Sequence, residues 1–167
     1  KIDTMSQVID DTTFIGGYES KHMTMIENIS RLSYSMYLNE EAYNALKQMY
    51  DDLYKNTKKR FLVTSAYKSY DVLNLEENTS QAGYSEFQLG TSVSLKVNGI
   101  KDVEFVSTDV YQWLLEHSYE YGYVLRYPSD KVTITQKESC NIFRYVGKEN
   151  AQKMHNQNLC LEELNNQ

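Results

Sequence analysis

Between Gly83 and Leu95 the chain reads G-Y-S-E-F-Q-L-G-T-S-V-S-L. Val93, Leu95 and Val97 alternate with Ser92, Ser94 and Lys96, a period of two that suits a half-buried strand and not a helix. The alternation predicts a strand fed by a glycine-bounded turn, with Ser94 on the face opposite the apolar core.

Other elements follow from the same kind of reading. Asn39 is suited to cap a helix whose first turn carries Glu40 and Glu41. Ala42, Leu46, Met49, Tyr50 and Leu53 then recur at helical spacing as a core stripe. Phe61–Thr64 is expected to be a short buried strand, and Leu75–Gly83 an exposed loop. Thr108 and Asp109 open a second helix with Val110, Trp113, Leu114 and Tyr121 along one side, closed by Gly122. Strands are expected at Tyr123–Tyr127, up to Pro128, and at Val132–Thr135. A last helix covers about residues 148–157, and Leu161–Leu164 closes the chain. The pattern is α+β in a single domain, with a weakly patterned lead-in over residues 1–38 and the organised domain over 39–167.

At 167 residues, 41% hydrophobic and 24% charged, the chain has the size and composition of one soluble globular domain. A formal net charge of −6 argues against nucleic acid or an anionic membrane as the main partner. No uninterrupted apolar stretch of membrane-spanning length is present. The chain starts at Lys1 without an initiator Met, so a membrane role is expected only through an anchor upstream of it. Cys140 and Cys160 form no metal knuckle, and two thiols are favoured over a disulfide.

Four separated segments carry a resemblance. They are S-A-Y-K-S-Y (Ser65–Tyr70), G-Y-S-E-F-Q-L-G (Gly83–Gly90), W-L-L-E-H with Y-G-Y-V-L-R-Y-P (Trp113–Pro128), and R-Y-V-G (Arg144–Gly147). In this order, and with the closing N-L-C-L-E-E-L, they are similar to VanY-type D-alanyl-D-alanine carboxypeptidases, zinc enzymes that trim peptidoglycan stem peptides. The resemblance covers roughly residues 40–165. It implies a small central antiparallel sheet flanked by helices, the D,D-carboxypeptidase (VanY/hedgehog-like) fold, in an extracytoplasmic protein at a bacterial cell surface. The Lys-, Asn- and Tyr-rich, Arg-poor composition fits a low-GC Gram-positive source.

In that family the opening segment reads S-E-H-Q-x-G-x-x-x-D, its His and Asp being zinc ligands. The third ligand is the His of a later E-x-W-H whose Glu is the general base. Carried over by position, Phe87 occupies the first ligand site and Ser94 the second. The third falls on Ile142 counting back from Arg144, or on Asn141 counting forward from Glu138. Zinc needs about three donors from His, Cys, Asp or Glu, so the resemblance combined with these residues implies no zinc and no ordinary metallopeptidase chemistry.

Glu138 stands at the general-base position and is expected to be idle. Lys68, Tyr84, Ser85 and Gln88 are the substrate-binding candidates that the resemblance implies. Lys68 replaces an Arg and loses its bidentate fork, and Leu73 replaces a common Gln. Arg126, Tyr127, Arg144 and Tyr145 are expected to satisfy carbonyls and carboxylates around a cleft floor. Cys140 would need an imidazole within reach to act as a nucleophile, and only His22, His117 and His155 could supply one. The reading is a catalytically inactive binding or regulatory module for a peptidoglycan stem peptide or a cell-envelope protein. The alternatives are a divergent active carboxypeptidase and an interaction domain with a filled cleft.

Overall fold

The structure, a computed structural model, describes residues 2–76 and 82–167. Strands β1 (Met23–Met25) and β2 (Tyr37–Asn39) pair antiparallel, Thr24 opposite Leu38. Asn39 then caps α1 (Glu40–Thr57), its side-chain oxygen accepting from the Glu41 and Ala42 N–H groups. The stripe expected from sequence is the buried face of this helix. Strand β3 (Leu62–Ser65) follows, then a short helix α2 (Tyr70–Leu75) started by the Ser69 side chain. Of the expected loop from Leu75 to Gly83, residues 77–81 lie outside the described residues.

A 3-10 turn, Glu86–Leu89, leads into β4 (Ser92–Lys96). Next come α3 (Asp102–Phe105) and α4 (Asp109–His117), the latter capped by the Thr108 side chain. The helix expected to reach Tyr121 tightens instead at Ser118–Tyr121 into a 3-10 turn. Gly122 ends it at φ 88°, and a Cβ there would stand 2.7 Å from the Tyr145 ring. Strand β5 (Tyr123–Tyr127) then runs to Pro128.

Val132–Thr135 is helix α5, not the strand expected from its β-branched residues. Val132 and Ile134 are exposed, so the run has no sheet surface to pack on. The place beside β5 belongs to β6 (Ser139–Tyr145), and tertiary pairing overrides local preference. Helices α6 (Lys148–Gln157) and α7 (Leu161–Asn165) complete the chain.

Strands β3, β4, β6 and β5 form an antiparallel sheet in that order. Val93, Leu95 and Phe143 point to one face, where they pack with α1, α4 and the side chains of Ile26, Ile29 and Leu38 from the lead-in. Burial of this kind contributes about 25 cal/mol per Å2 of apolar surface and holds the layers together. By alternation, Ser94 and Ile142, paired across β4 and β6, point to the other face, as does Arg144. That face carries the candidate site.

Candidate functional site

The Gly83–Gly90 loop holds its shape through its own polar residues. Gly83, at φ 88°, donates its N–H to Gln88 Oε1 at 2.9 Å. Ser85 Oγ accepts the Phe87 N–H at 3.2 Å and so caps the 3-10 turn. Gln88 Nε2 donates to the Gly16 and Tyr18 carbonyls at 2.8 and 2.9 Å, tying the loop to the lead-in. Phe14 stacks on Tyr84 with ring centroids 4.9 Å apart. Gln88 is fully buried and its amide serves three backbone groups, which removes it from the peptide contacts expected from sequence. The reason is topological, because residues 16–18 cross behind the loop, and a lead-in without pattern gave no sign of that path.

The turn aims Glu86 inward and Phe87 outward. Glu86 is buried between two guanidiniums, bonding to Arg144 and standing 3.2 Å from Arg126 Nε. Arg126 also grips Glu162 of α7 with both terminal nitrogens, at 2.7 and 3.1 Å. Arg144 donates to the Thr4 and Gln7 carbonyls at 3.0 Å each. Burial opposes ionisation of Glu86, but Arg144 and Arg126 together outweigh it and hold the carboxyl below its usual range. Burial, with the neighbouring Glu86 charge, pushes the Tyr127 hydroxyl above the ordinary phenol range. The arginines therefore satisfy carboxylates and carbonyls under the cleft, as expected. Their partners Glu86 and Glu162, and the buried Ser92 hydroxyl that donates to Glu86, were not foreseen; the available signal was two arginines set into otherwise apolar strands.

Outside this floor lies a cleft of about 420 Å3. Phe87 and Ile142 line it, together with Tyr84, Ser85, Tyr127 and Glu138. Sequence left the third vacated position open between two residues. Ile142 shares the cleft with Phe87 and is paired to Ser94, whereas Asn141 turns away and donates to the Leu95 carbonyl at 2.9 Å. Of the two candidates, Ile142 is the one on the cleft face of the sheet. A three-residue step back from it lands on Ser139, so Glu138 is one residue out of register with the expected base although both line the cleft.

Lys68 lies at the cleft's edge, its Nζ 5.9 Å from the centre of the Phe87 ring and 3.0 Å from Glu76 Oε2. Leu73 is buried on α2 and offers no polar contact. The donor set does not fit zinc. Phe87 and Ile142 have no donor atom, Ser94 has a weak one, and among the described residues no three of His, Cys, Asp and Glu converge on one point.

Cys140 and Cys160 are free thiols. Burial pushes the Cys140 thiol up, and its polar neighbours are the Asp102 carbonyl and Asn141 Oδ1. Two of the three imidazoles are engaged elsewhere, His117 with Glu120 and His155 stacked on Tyr119. Nothing here activates a thiolate.

Known proteins are similar to this chain in sequence and fold. The sequence model of the VanY family, described as D-alanyl-D-alanine carboxypeptidase, matches residues 72–148. A D-alanyl-D-alanine carboxypeptidase of Enterococcus faecium is 32% identical over 152 residues, covering 86% of this chain and 49% of that protein. The chain thus spans about half the length of that relative. Among solved structures, the LdcB LD-carboxypeptidase, whose structure reveals the molecular basis of peptidoglycan recognition, superposes with a TM-score of 0.84 at 28% identity. It covers 95% of this chain and 84% of its own. VanYB in complex with D-alanine-D-alanine superposes with a TM-score of 0.78 at 25% identity, over 98% of both chains.

Proposed function

We propose, on the premise that this chain belongs to the VanY-type D-alanyl-D-alanine carboxypeptidase family, that it binds peptidoglycan stem peptides without hydrolysing them. One observation carries the reading. The three positions that would hold the metal are Phe87, Ser94 and Ile142, yet the turn and the two strands that carry them are formed, and the cleft lined by Phe87 and Ile142 stays open. Without a metal, a water in the cleft keeps the very weak acidity of bulk water, and an exposed Glu138 has no activated nucleophile to deprotonate.

What remains suits recognition of a peptide C-terminus. Ser85 Oγ accepts the Phe87 N–H, and its own proton is still available to a ligand. Lys68 Nζ offers a point charge to a terminal carboxylate, in competition with Glu76 and without the directional grip of an arginine. Phe87 and Ile142 give the neighbouring side chain an apolar wall. The domain acts at the bacterial cell surface, and no described helix is long and apolar enough to cross a membrane.

Glu138 in the cleft wall favours a second reading, a divergent carboxypeptidase that still turns over. Metal analysis of the purified protein, together with incubation on a pentapeptide ending in D-Ala-D-Ala, decides between them. The expected result is substoichiometric zinc, no released D-alanine, and muropeptide binding that weakens about tenfold in Lys68→Ala. Bound stoichiometric zinc with product release would overturn the binding-only reading. An open cleft lined by Phe87 supports the binding reading over an interaction domain with a filled cleft, and muropeptides that fail to bind would reverse that choice.

A further inference from the structure

Strand β5 is a terminal strand of the main sheet. Val146 donates its N–H to the Gly122 carbonyl at 2.9 Å. In an antiparallel pair, residues that exchange hydrogen bonds alternate with residues that do not. Gly122 and Val124 therefore face β6, while Tyr123 and Leu125 turn their N–H and C=O groups outward. Tyr123 is completely buried, but Leu125 is half-buried, and among the described residues it makes no backbone hydrogen bond outside the sheet. An open rung of this kind is a template for another chain.

The edge lies between two walls. Leu115 of α4 and Tyr119 of the turn after it stand on one side, Met154, His155 and Leu159 on the other. The Tyr119 and His155 rings, 3.7 Å apart and nearly parallel, bridge the walls. From Leu125 the groove continues past Pro128 into a hollow of about 300 Å3. Val106, Tyr111 and Leu115 line that hollow, with Asp130 and Glu138 beside them and no lysine or arginine. Val106 and Leu115 are 48% and 41% exposed, unusual for apolar residues that converge on one hollow. Asp130 and Glu138 form no ion pair among the described residues.

We propose that this groove docks an extended, basic and apolar segment of a partner protein, which adds to β5 as a fifth strand of the sheet. The segment's backbone pairs with the Leu125 rung. One apolar side chain enters the hollow under Leu115 and Val106, and a lysine or arginine reaches Asp130 and Glu138. Strand addition draws its affinity from main-chain hydrogen bonds and its specificity from alternate side-chain pockets, and this groove offers both. Charge complementarity selects the occupant, since an acidic segment would meet unpaired carboxylates in a chain of net charge −6. The hollow shares Tyr127, Glu138 and Ser139 with the cleft beside Phe87, but the groove along β5 lies outside that cleft and the proposal does not rest on the reading given for it.

The test selects binders from a random octapeptide phage library on the intact protein, then measures synthetic peptides made from the enriched sequences. Enrichment of peptides with alternating apolar residues and at least one lysine or arginine is expected. Their binding should weaken at least tenfold on Leu115→Arg and on the double change Asp130→Lys/Glu138→Lys. It should also fall when one peptide amide is N-methylated, and persist in Lys68→Ala, which alters only the cleft. All four substituted side chains are partly or fully exposed, and circular dichroism confirms that each variant is folded. No enrichment over bare beads, or enriched peptides indifferent to the groove variants, overturns the proposal. So does a dimer in sedimentation that dissociates on Leu115→Arg, which would give the groove to a second copy of this chain.

Discussion

Beneath the 3-10 turn at Glu86–Leu89, one carboxylate meets two arginines, and each arginine has further partners in α7 or the lead-in. Above the same turn, Phe87 and Ile142 line a cleft with no shared polar task, and Ser94 is paired to Ile142 across the strands. Glu86 and Phe87 are consecutive residues, yet they belong to regions under opposite constraints. A buried charge tolerates no loss of a partner, because the remaining group cannot be resolvated. An exposed ligand position tolerates any side chain that fits once its metal is no longer required.

The largest effect should come from restoring the upper region. Phe87→His/Ser94→Asp/Ile142→His should bind zinc with a dissociation constant below about 1 μM, roughly 8 kcal/mol of binding free energy. Asn141→His in place of Ile142→His should not, because Asn141 turns toward the Leu95 carbonyl. Calorimetric titration reads both, and failure of the first variant would show that the frame has drifted along with its ligands. In the lower region, Arg144→Met leaves Glu86 with one arginine and should cost about 3–5 kcal/mol in urea unfolding. An unchanged midpoint would abolish the contrast between the two regions.

Of the two regions, acid should act on the lower one. Glu86 has a folded pKa depressed from its ordinary 4.5, so its contribution is complete above that value and is lost as pH falls through the folded pKa. The urea midpoint should hold from pH 7 to about 4.5 and decline below it. In Arg144→Met the depression is smaller and the decline correspondingly shallower. The smallest effect is local to the turn. Ser85→Ala removes the side-chain cap on Phe87 N–H and should cost about 1 kcal/mol, again by urea unfolding.

Periodic, self-contained elements were legible from sequence. Asn39 and the α1 stripe, Thr108 with α4, and the alternation of β4 all follow from local patterns that burial then satisfies. Val132–Thr135 was not, since four residues cannot decide between strand and helix without knowing that β6 already flanks β5. In the site, the vacated positions Phe87 and Ser94 were visible from the family pattern. The choice of Ile142 over Asn141 needed the cross-strand pairing with Ser94. Gln88 misled for a different reason. A polar residue in a loop looks available to a ligand until the distant chain that occupies its amide is known. The free edge of β5 gave no sequence signal either, because an edge strand and a central one can share the same residues.

The two carbonyls that receive Arg144, those of Thr4 and Gln7, lie 140 and 137 residues away along the chain. Such contacts close only after nearly all intervening residues exist, and long-range closure is slow. During synthesis the floor of the cleft must therefore be among the last parts to assemble. A nascent chain stopped before β5 would hold Glu86 with neither arginine, and the lead-in would have no guanidinium to fasten it.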